Sequence, residues 1–348
     1  MLSIRPLVVV GLCATACLTM CAPGAAGPED DFPDEAAQVG VFPDEADPFV
    51  GDYKGRWMGD VTVDPDIAAQ VIALGGGRYR IRLVSKLDMR CPPIEIVEAE
   101  ASRGRISFQG GLTRGEIQDG RIIGTDGDHK TQFEMKKVIR LSPTLGAAPP
   151  EGAVVLFDGS NMDAWDGTKG WELLDDGVMM VTPKGGHLAT KQHFTDLTLH
   201  VEFRNSFTPT ARGQERGNSG VFVQDVYEVQ ILDSYGLEGY YNECGALYKL
   251  AAPHVNACAP PLQWQTYDIV YRATRVDAKG ELMENARITV HHNGVLIHDD
   301  QELWWITAWT EKERLAPPPR EPGPIKLQGH GNYVQFRNIW LVDLAKSK

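Results

Sequence analysis

Along much of the chain, apolar and polar residues alternate one for one, the period of a half-buried strand, and a helical period is hard to find anywhere. Residues 197–204 (LTLHVEFR) are the clearest run. Leu197, Leu199, Val201 and Phe203 point one way, and Thr198, His200, Glu202 and Arg204 the other. Residues 226–233 repeat the pattern, with Tyr227, Val229 and Ile231 on one face and Glu228 and Gln230 on the opposite one. Residues 266–272, 286–292, 324–328 and 333–341 continue the series. Alternating strands with turn residues between them predict an antiparallel β-sandwich or jelly roll over about 153–344.

Residues 49–140 predict a second, smaller all-β unit. Residues 78–84 (RYRIRLV) alternate, further short runs fall at 105–108, 120–123 and 132–135, and glycine turns stand at 75–77, 110–111 and 126–127. The opening GDYKGRW at 51–57 predicts a strand with an aromatic plug at one end of a barrel or curled sheet. No catalytic constellation is visible there, so a binding or spacer role is expected. Residues 141–152 (LSPTLGAAPPEG) are rich in proline and small residues and read as a linker that few contacts cross.

The first 26 residues read as an export signal: Arg5 is the positive charge, an apolar run lasts from Leu7 to about Met20, and small residues follow. The run is too short to span a bilayer comfortably, so no transmembrane segment is expected. A periplasmic, cell-surface or secreted location in a bacterium follows. Lipid attachment is the variant of this reading: ATAC at 14–17 fits loosely the placing of a small residue before a processed cysteine, Cys17, and LTMC at 18–21 fits Cys21 less well. Residues 27–48 are acidic, contain FPDEA twice, and carry too little apolar content to fold, so they read as a disordered spacer.

Composition then narrows the partners. A chain of 348 residues accommodates two folded units besides export and linker segments. A net charge of -13 argues against a nucleic-acid backbone or an anionic membrane surface and is compatible with a neutral sugar. Beyond the signal, three cysteines remain. An exported location permits Cys244 and Cys258 to pair, leaving Cys91 a free thiol, and no C-x-x-C spacing points to zinc.

Candidate chemistry sits on the polar faces. Sugar hydroxyls both donate and accept, so they select charged and amide side chains, and aromatic rings cover the apolar face of a pyranose. If the strands at 197–204 and 226–233 are neighbours, Glu202, Arg204, Glu228 and Gln230 converge on one concave surface. An exposed cross-strand ion pair is an equally good reading of Glu202 with Arg204, whereas Glu228 with Gln230 inside a β-branched run leans functional. Trp264, Trp304, Trp305 and Trp309 fall in expected loops and offer stacking surfaces, although core packing is the commoner fate of any single tryptophan. His187, His193 and His254 read as surface residues. His330 differs, because glycines flank it in the loop GHGN at 329–332, directly after a strand.

Several ordered motifs resemble the 3-keto-disaccharide hydrolase family: LFDG at 156–159 followed by Trp165, NSGVF at 218–222, YEVQILDS at 227–234, ECGALY at 243–248, WQTYD at 264–268, HNG at 292–294, GPIKLQGHGN at 323–332 and FRNIW at 336–340. The resemblance covers about 153–344. It implies a concanavalin A-like sandwich and action on glycosides whose C3 hydroxyl has been oxidised to a ketone. Related laminarinase-like sandwiches carry E-x-D-x-E on one strand. Here that strand reads EVQILD at 228–233, without the central Asp and final Glu, which puts a two-carboxylate mechanism in doubt. A C3 ketone acidifies the C2 hydrogen, so a base, an acid for the leaving oxygen and an enolate-stabilising donor suffice. On this reading Glu228 and His330 are acid and base, while Arg204, Gln230 and Gln328 hold sugar oxygens. Asn218, Asp233 and Glu243 are further substrate-binding candidates, with Glu202 and Trp264 from the face argument. No cofactor is implied beyond a structural calcium ion of the kind such sandwiches hold. The alternatives are a lectin-like binder without catalysis, or an interaction module whose working part is the N-terminal unit.

Overall fold

The computed structural model describes residues 40–43, 46–59, 64–87, 89–307, 312 and 318–346. The export signal with Cys17 and Cys21, much of the acidic spacer, and Trp309 lie outside them. Eight strands, β1 (Gly51–Met58), β2 (Asp66–Gly75), β3 (Arg78–Val84), β4 (Glu95–Ser102), β5 (Arg105–Gln109), β6 (Thr113–Gln118), β7 (Arg121–Asp126) and β8 (Gln132–Val138), form an up-and-down barrel in chain order. It closes where β8 pairs antiparallel with β1. Closure leaves no free sheet edge. Alternation drives it, since Tyr79, Ile81 and Leu83 from β3 join Tyr53, Phe108 and Phe133 in one core. The expected aromatic plug is Trp57, packed edge-on against Phe133 with ring centroids 4.9 Å apart.

The rest of the chain folds as a sandwich. Its strands are β9 (Val154–Phe157), β10 (Trp165–Asp166), β11 (Trp171–Leu173), β12 (Met179–Val181), β13 (Leu188–Thr190), β14 (Leu197–Asn205), β15 (Ser219–Val223), β16 (Tyr227–Ile231), β17 (Gln265–Arg272), β18 (Arg275–Val276), β19 (Leu282–Glu284), β20 (Ala286–His292), β21 (Val295–Leu303), β22 (Lys326–Leu327) and β23 (Val334–Asp343). One sheet runs β10-β13-β22-β15-β16. The other runs β11-β12-β23-β14-β17-β20-β21, with β9 also on β23, and β18 and β19 make a separate ribbon. Leu197, Leu199, Val201 and Phe203 of one sheet share a core with Val221, Tyr227, Val229 and Ile231 of the other. A 3₁₀ turn, Gly213–Glu215, stands before β15.

Four expectations are corrected. The strands at 197–204 and 226–233 are not neighbours, because β14 lies between β17 and β23 while β16 pairs with β15 in the opposite sheet. The linker is crossed by many contacts: Ser142 Oγ lies 2.6 Å from Thr266 Oγ1, Thr144 Oγ1 donates to Asp268 at 2.6 Å, and the Ala147 carbonyl accepts from Asn338 and Trp340. The end of the supposed spacer also lies on the protein, where Val41 and Phe207 exchange backbone hydrogen bonds and Asp47 accepts from the Tyr79 hydroxyl at 2.8 Å. Cys91, Cys244 and Cys258 are all buried free thiols, and Cys244 Sγ lies 3.3 Å from the Tyr267 hydroxyl.

Candidate functional site

On β16, Tyr227, Val229 and Ile231 turn into the core, so Glu228 and Gln230 turn out of the sandwich together. Register places two rows of side chains on that face. Glu228 stands opposite Phe222 on β15, and Phe222 opposite Lys326 on β22. Gln230 stands opposite Gly220, whose carbonyl accepts from the backbone N–H of Gln328. Both rows floor a cavity of about 300 Å³, at the lower end of ordinary small-ligand pockets, roughly 300–1,000 Å³. Its walls come from loops: His187 before β13, Gln214 and Asn218 before β15, Tyr248, and Ile306 with Thr307 after β21.

Glu228 is 4% exposed. Burial pushes its carboxyl up to about 8, against the pull of the Lys326 ammonium, so at neutral pH the proton mostly stays on. Room for this side chain is made across the strand pair. A Cβ on Gly220 would sit 2.3 Å from Glu228 Oε1, so only glycine lets the carboxyl lie flat over β15. The amide of Gln230 has acceptors on both sides: in one orientation its nitrogen donates to Gln214 Oε1 (2.9 Å), in the other to the Ser219 carbonyl (2.7 Å) and Glu228 Oε1 (3.1 Å). Lys326 lies 4.0 Å from the centre of the Phe222 ring and 2.6 Å from Asp225 Oδ1. His187 Nδ1 accepts from the Gly329 N–H at 3.3 Å, which puts its proton on Nε2. Partial burial and the Lys326 charge lower its imidazole below the usual value, so it stays neutral. Gln328 Oε1 is buried without a hydrogen-bond partner in the protein, an acceptor left for a hydroxyl donor.

Five of the residues singled out in the sequence therefore meet here: Asn218, Glu228, Gln230, Gln328 and His330. The other candidates do not. Glu202 and Arg204 lie on the outer face of the larger sheet. Glu202 is sealed under the linker, accepting from Arg337 Nε at 2.7 Å, Asn338 at 2.9 Å and the Gly146 N–H. Burial works to raise its carboxyl, yet these bonds and His200 hold it down to about 2. His200 stacks on Trp340 and bonds Asp268 at 2.7 Å; burial opposes its charge, but the two carboxylates outweigh burial and raise its imidazole. Arg204 bonds Gln335 and stacks on Trp264, which also carries Arg337, so Trp264 is occupied by cations on this outer face. Asp233 is paired with Arg216 at 2.5 Å, and Glu243 accepts the backbone N–H groups of Gly239 and Tyr240. Each is a structural bond because the alternation fixes a face without fixing which strand lies beside it.

Reading from sequence missed Lys326, Phe222, Asp225, Gln214, Tyr248 and Thr307, and placed His187 on the surface. Lys326 sits on a strand of two residues, too short for a visible period. A signal existed: Lys326 and Gln328 alternate with the apolar Ile325 and Leu327. Trp304 and Trp305 are exposed, 63% and 45%, immediately before the cavity residues Ile306 and Thr307. Among the described residues, no three of His, Cys, Asp and Glu gather as ligands for a metal ion. No described helix is long and apolar enough to cross a membrane.

An all-β sandwich whose cavity row carries carboxyl, amide, lysine and imidazole groups, taken together with the family match and the similar structure that follow, makes a hydrolase-like protein of the carbohydrate-active class. The chain belongs to the 3-keto-alpha-glucoside-1,2-lyase-like family, which matches residues 152–342. A crystal structure of a "putative glycosyl hydrolase" from Parabacteroides distasonis is 37% identical, with a TM-score of 0.51, over 56% of this chain and 84% of that one. A second structure so described from the same organism is 21% identical, with a TM-score of 0.41, over 56% of this chain and 94% of that one. No curated protein matches the chain.

Proposed function

We propose that the protein cleaves 3-keto-glycosides by elimination at C1–C2 followed by hydration. The carrying observation is the lone available carboxyl. Two-carboxylate glycoside hydrolysis needs a partner acid or base on the other side of the bond. Of the carboxylates around the cavity, Asp225 is committed to Lys326, which leaves Glu228. Elimination needs a different set, and the cavity supplies it. A base takes the C2 proton, the C2 electron pair forms the C1–C2 double bond through the enolate, and the C1–O bond breaks. The leaving oxygen takes a proton. Water then adds across the double bond, restoring a 3-keto sugar.

Glu228, protonated at neutral pH by its burial, is the acid for the leaving oxygen. His330, which also lines the cavity, is the base. The neutral His187, with its proton on Nε2, and the Lys326 ammonium face the enolate oxygen. Gln230, Gln328, Asn218 and Gln214 hold hydroxyls, and Phe222 gives a flat apolar floor. Release of free sugar from a 3-keto-glucoside, with solvent deuterium entering at C2, tests the reaction. Glu228→Gln should lower turnover roughly 100-fold or more, and wild-type kcat/KM should fall as pH rises through about 8. Equal turnover of the parent glucoside, whose C2 hydrogen is not acidic, would refute the elimination, and glycan binding without turnover would favour a lectin role.

A further inference from the structure

The barrel lies outside the region shared with the family, yet its contacts run to the cavity. Two loops flank β16, and both are tied to the barrel. The first, 206–218, brings Gln214 and Asn218 into the cavity. Phe207 on this loop packs against the barrel core. Arg212 Nη2 donates to the Leu74 carbonyl at the end of β2 at 3.1 Å, while its Nη1 donates to the carbonyls of Pro209 and Ala211 at 2.7 and 2.8 Å. The β2–β3 turn fits closely there: Gly75 has a φ of +86°, and a Cβ on it would lie 2.4 Å from Thr210 Cγ2. The second loop, 233–248, lies along the free edge of β16, where Gln230 and Gly245–Ala246 exchange backbone hydrogen bonds and Tyr248 N–H donates to the Glu228 carbonyl. It too is held by the barrel. Tyr235 donates to Asp52 at 2.8 Å, Arg82 pairs with Glu238 at 2.9 Å, and Arg90 donates to the Gly239 carbonyl at 2.7 Å.

Gln214 is where the two loops meet the reacting face. Its Nε2 donates to the Asn242 carbonyl at 2.8 Å, its carbonyl accepts from Asn218 at 3.0 Å, and its Oε1 lies 2.9 Å from the Gln230 amide that borders Glu228. We propose that the N-terminal barrel is a working part of the catalytic site, a fixed abutment for both loops, and that Arg212 is the positioning residue that sets Gln214 against Gln230 and Glu228. This rests on Glu228 acting in the cavity and extends that reading to a part of the chain that bears no catalytic group.

The test uses the full-length protein. Titration of Glu228 is followed by NMR of carboxyl-labelled glutamate, with Glu228→Gln to assign its signal, in wild type, Arg212→Ala and Arg212→Lys. A loosened loop admits water, so Arg212→Ala should move the Glu228 midpoint down by about one pH unit. It should also cost about tenfold in kcat/KM on a 3-keto-glucoside, as small misplacements do. Arg212→Lys, which can still donate to the Leu74 carbonyl, should recover part of both. Unchanged titration and turnover in Arg212→Ala, with the protein folded, would overturn the proposal. If that variant does not fold, Arg82→Met reads the other tie in the same way. Amide exchange in the unmodified protein needs no variant: residues 209–218 should exchange as slowly as the adjoining end of β2, and faster exchange would count against the abutment. Should wild type fail to turn over any 3-keto-glucoside, the titration and exchange arms still decide the positioning by themselves.

Discussion

Glu228 is a buried acid that folding alone does not favour. Its folded-state value, about 8, lies above that of an unfolded glutamate, so the unfolded chain loses the proton first as pH rises. The native state therefore keeps its full relative stability below about pH 4 and loses it progressively as pH rises through about 8. Replacing Glu228 by Gln removes this loss. The variant should be more stable than wild type by on the order of a few kcal/mol above pH 8, and equal to it near pH 4, in denaturant titrations at the two values. Such gain of stability with loss of turnover marks a residue kept for chemistry. Glu202 has the opposite sign. Held down to about 2, it stabilises the fold above the ordinary carboxylate range and stops doing so as pH falls toward 2. Glu202→Gln should cost about 3 kcal/mol at neutral pH, because it unmakes a buried charged network, and should leave kcat on the chosen substrate unaltered.

At the scale of elements, the site is a product of strand order. The sheet β13-β22-β15-β16 sets a two-residue strand from late in the chain beside one from the middle, and so brings Lys326 within reach of Glu228. Phe222 stands between them in register, and Gly220, in the next row of β15, leaves the space in which the Glu228 carboxyl lies. Gly220→Ala should leave the far-ultraviolet spectrum and melting temperature nearly unchanged while lowering kcat about tenfold or more, since the new methyl would displace a flexible carboxyl rather than backbone. Wild-type kcat in that variant would mean that the carboxyl does not need its place over β15. The alternation of 78–84 and 197–204 was readable at sight, and β3 and β14 start where those runs do. The partner of each strand was not readable, because period two is the same whichever strand lies alongside.

For the whole molecule, the linker and both cavity loops bind barrel and sandwich across polar contacts that are largely buried. Tyr235, fully enclosed, bonds Asp52, and Asp52 is paired with Arg140 at 2.7 Å. Separating the units would strand these groups without partners, at about 1–3 kcal/mol for each. The chain beyond the spacer should accordingly melt in one calorimetric transition, with van't Hoff and calorimetric enthalpies in agreement; two resolved transitions would show units that fold independently.

The amino-acid sequence by itself determined that the protein is two β units, which face of each long strand is apolar, that Glu228 and Gln230 share a polar face, and that Gln328 and His330 follow a strand end. These are local matters of period and turn chemistry. Only the tertiary structure decided that Glu202 and Arg204 belong to another sheet, with Glu202 beneath the linker, that Lys326, Phe222 and His187 complete the cavity, and that the barrel braces its walls. Neighbourhood between strands far apart in sequence is set by packing of the two sheets, and no residue-to-residue spacing along the chain encodes it directly.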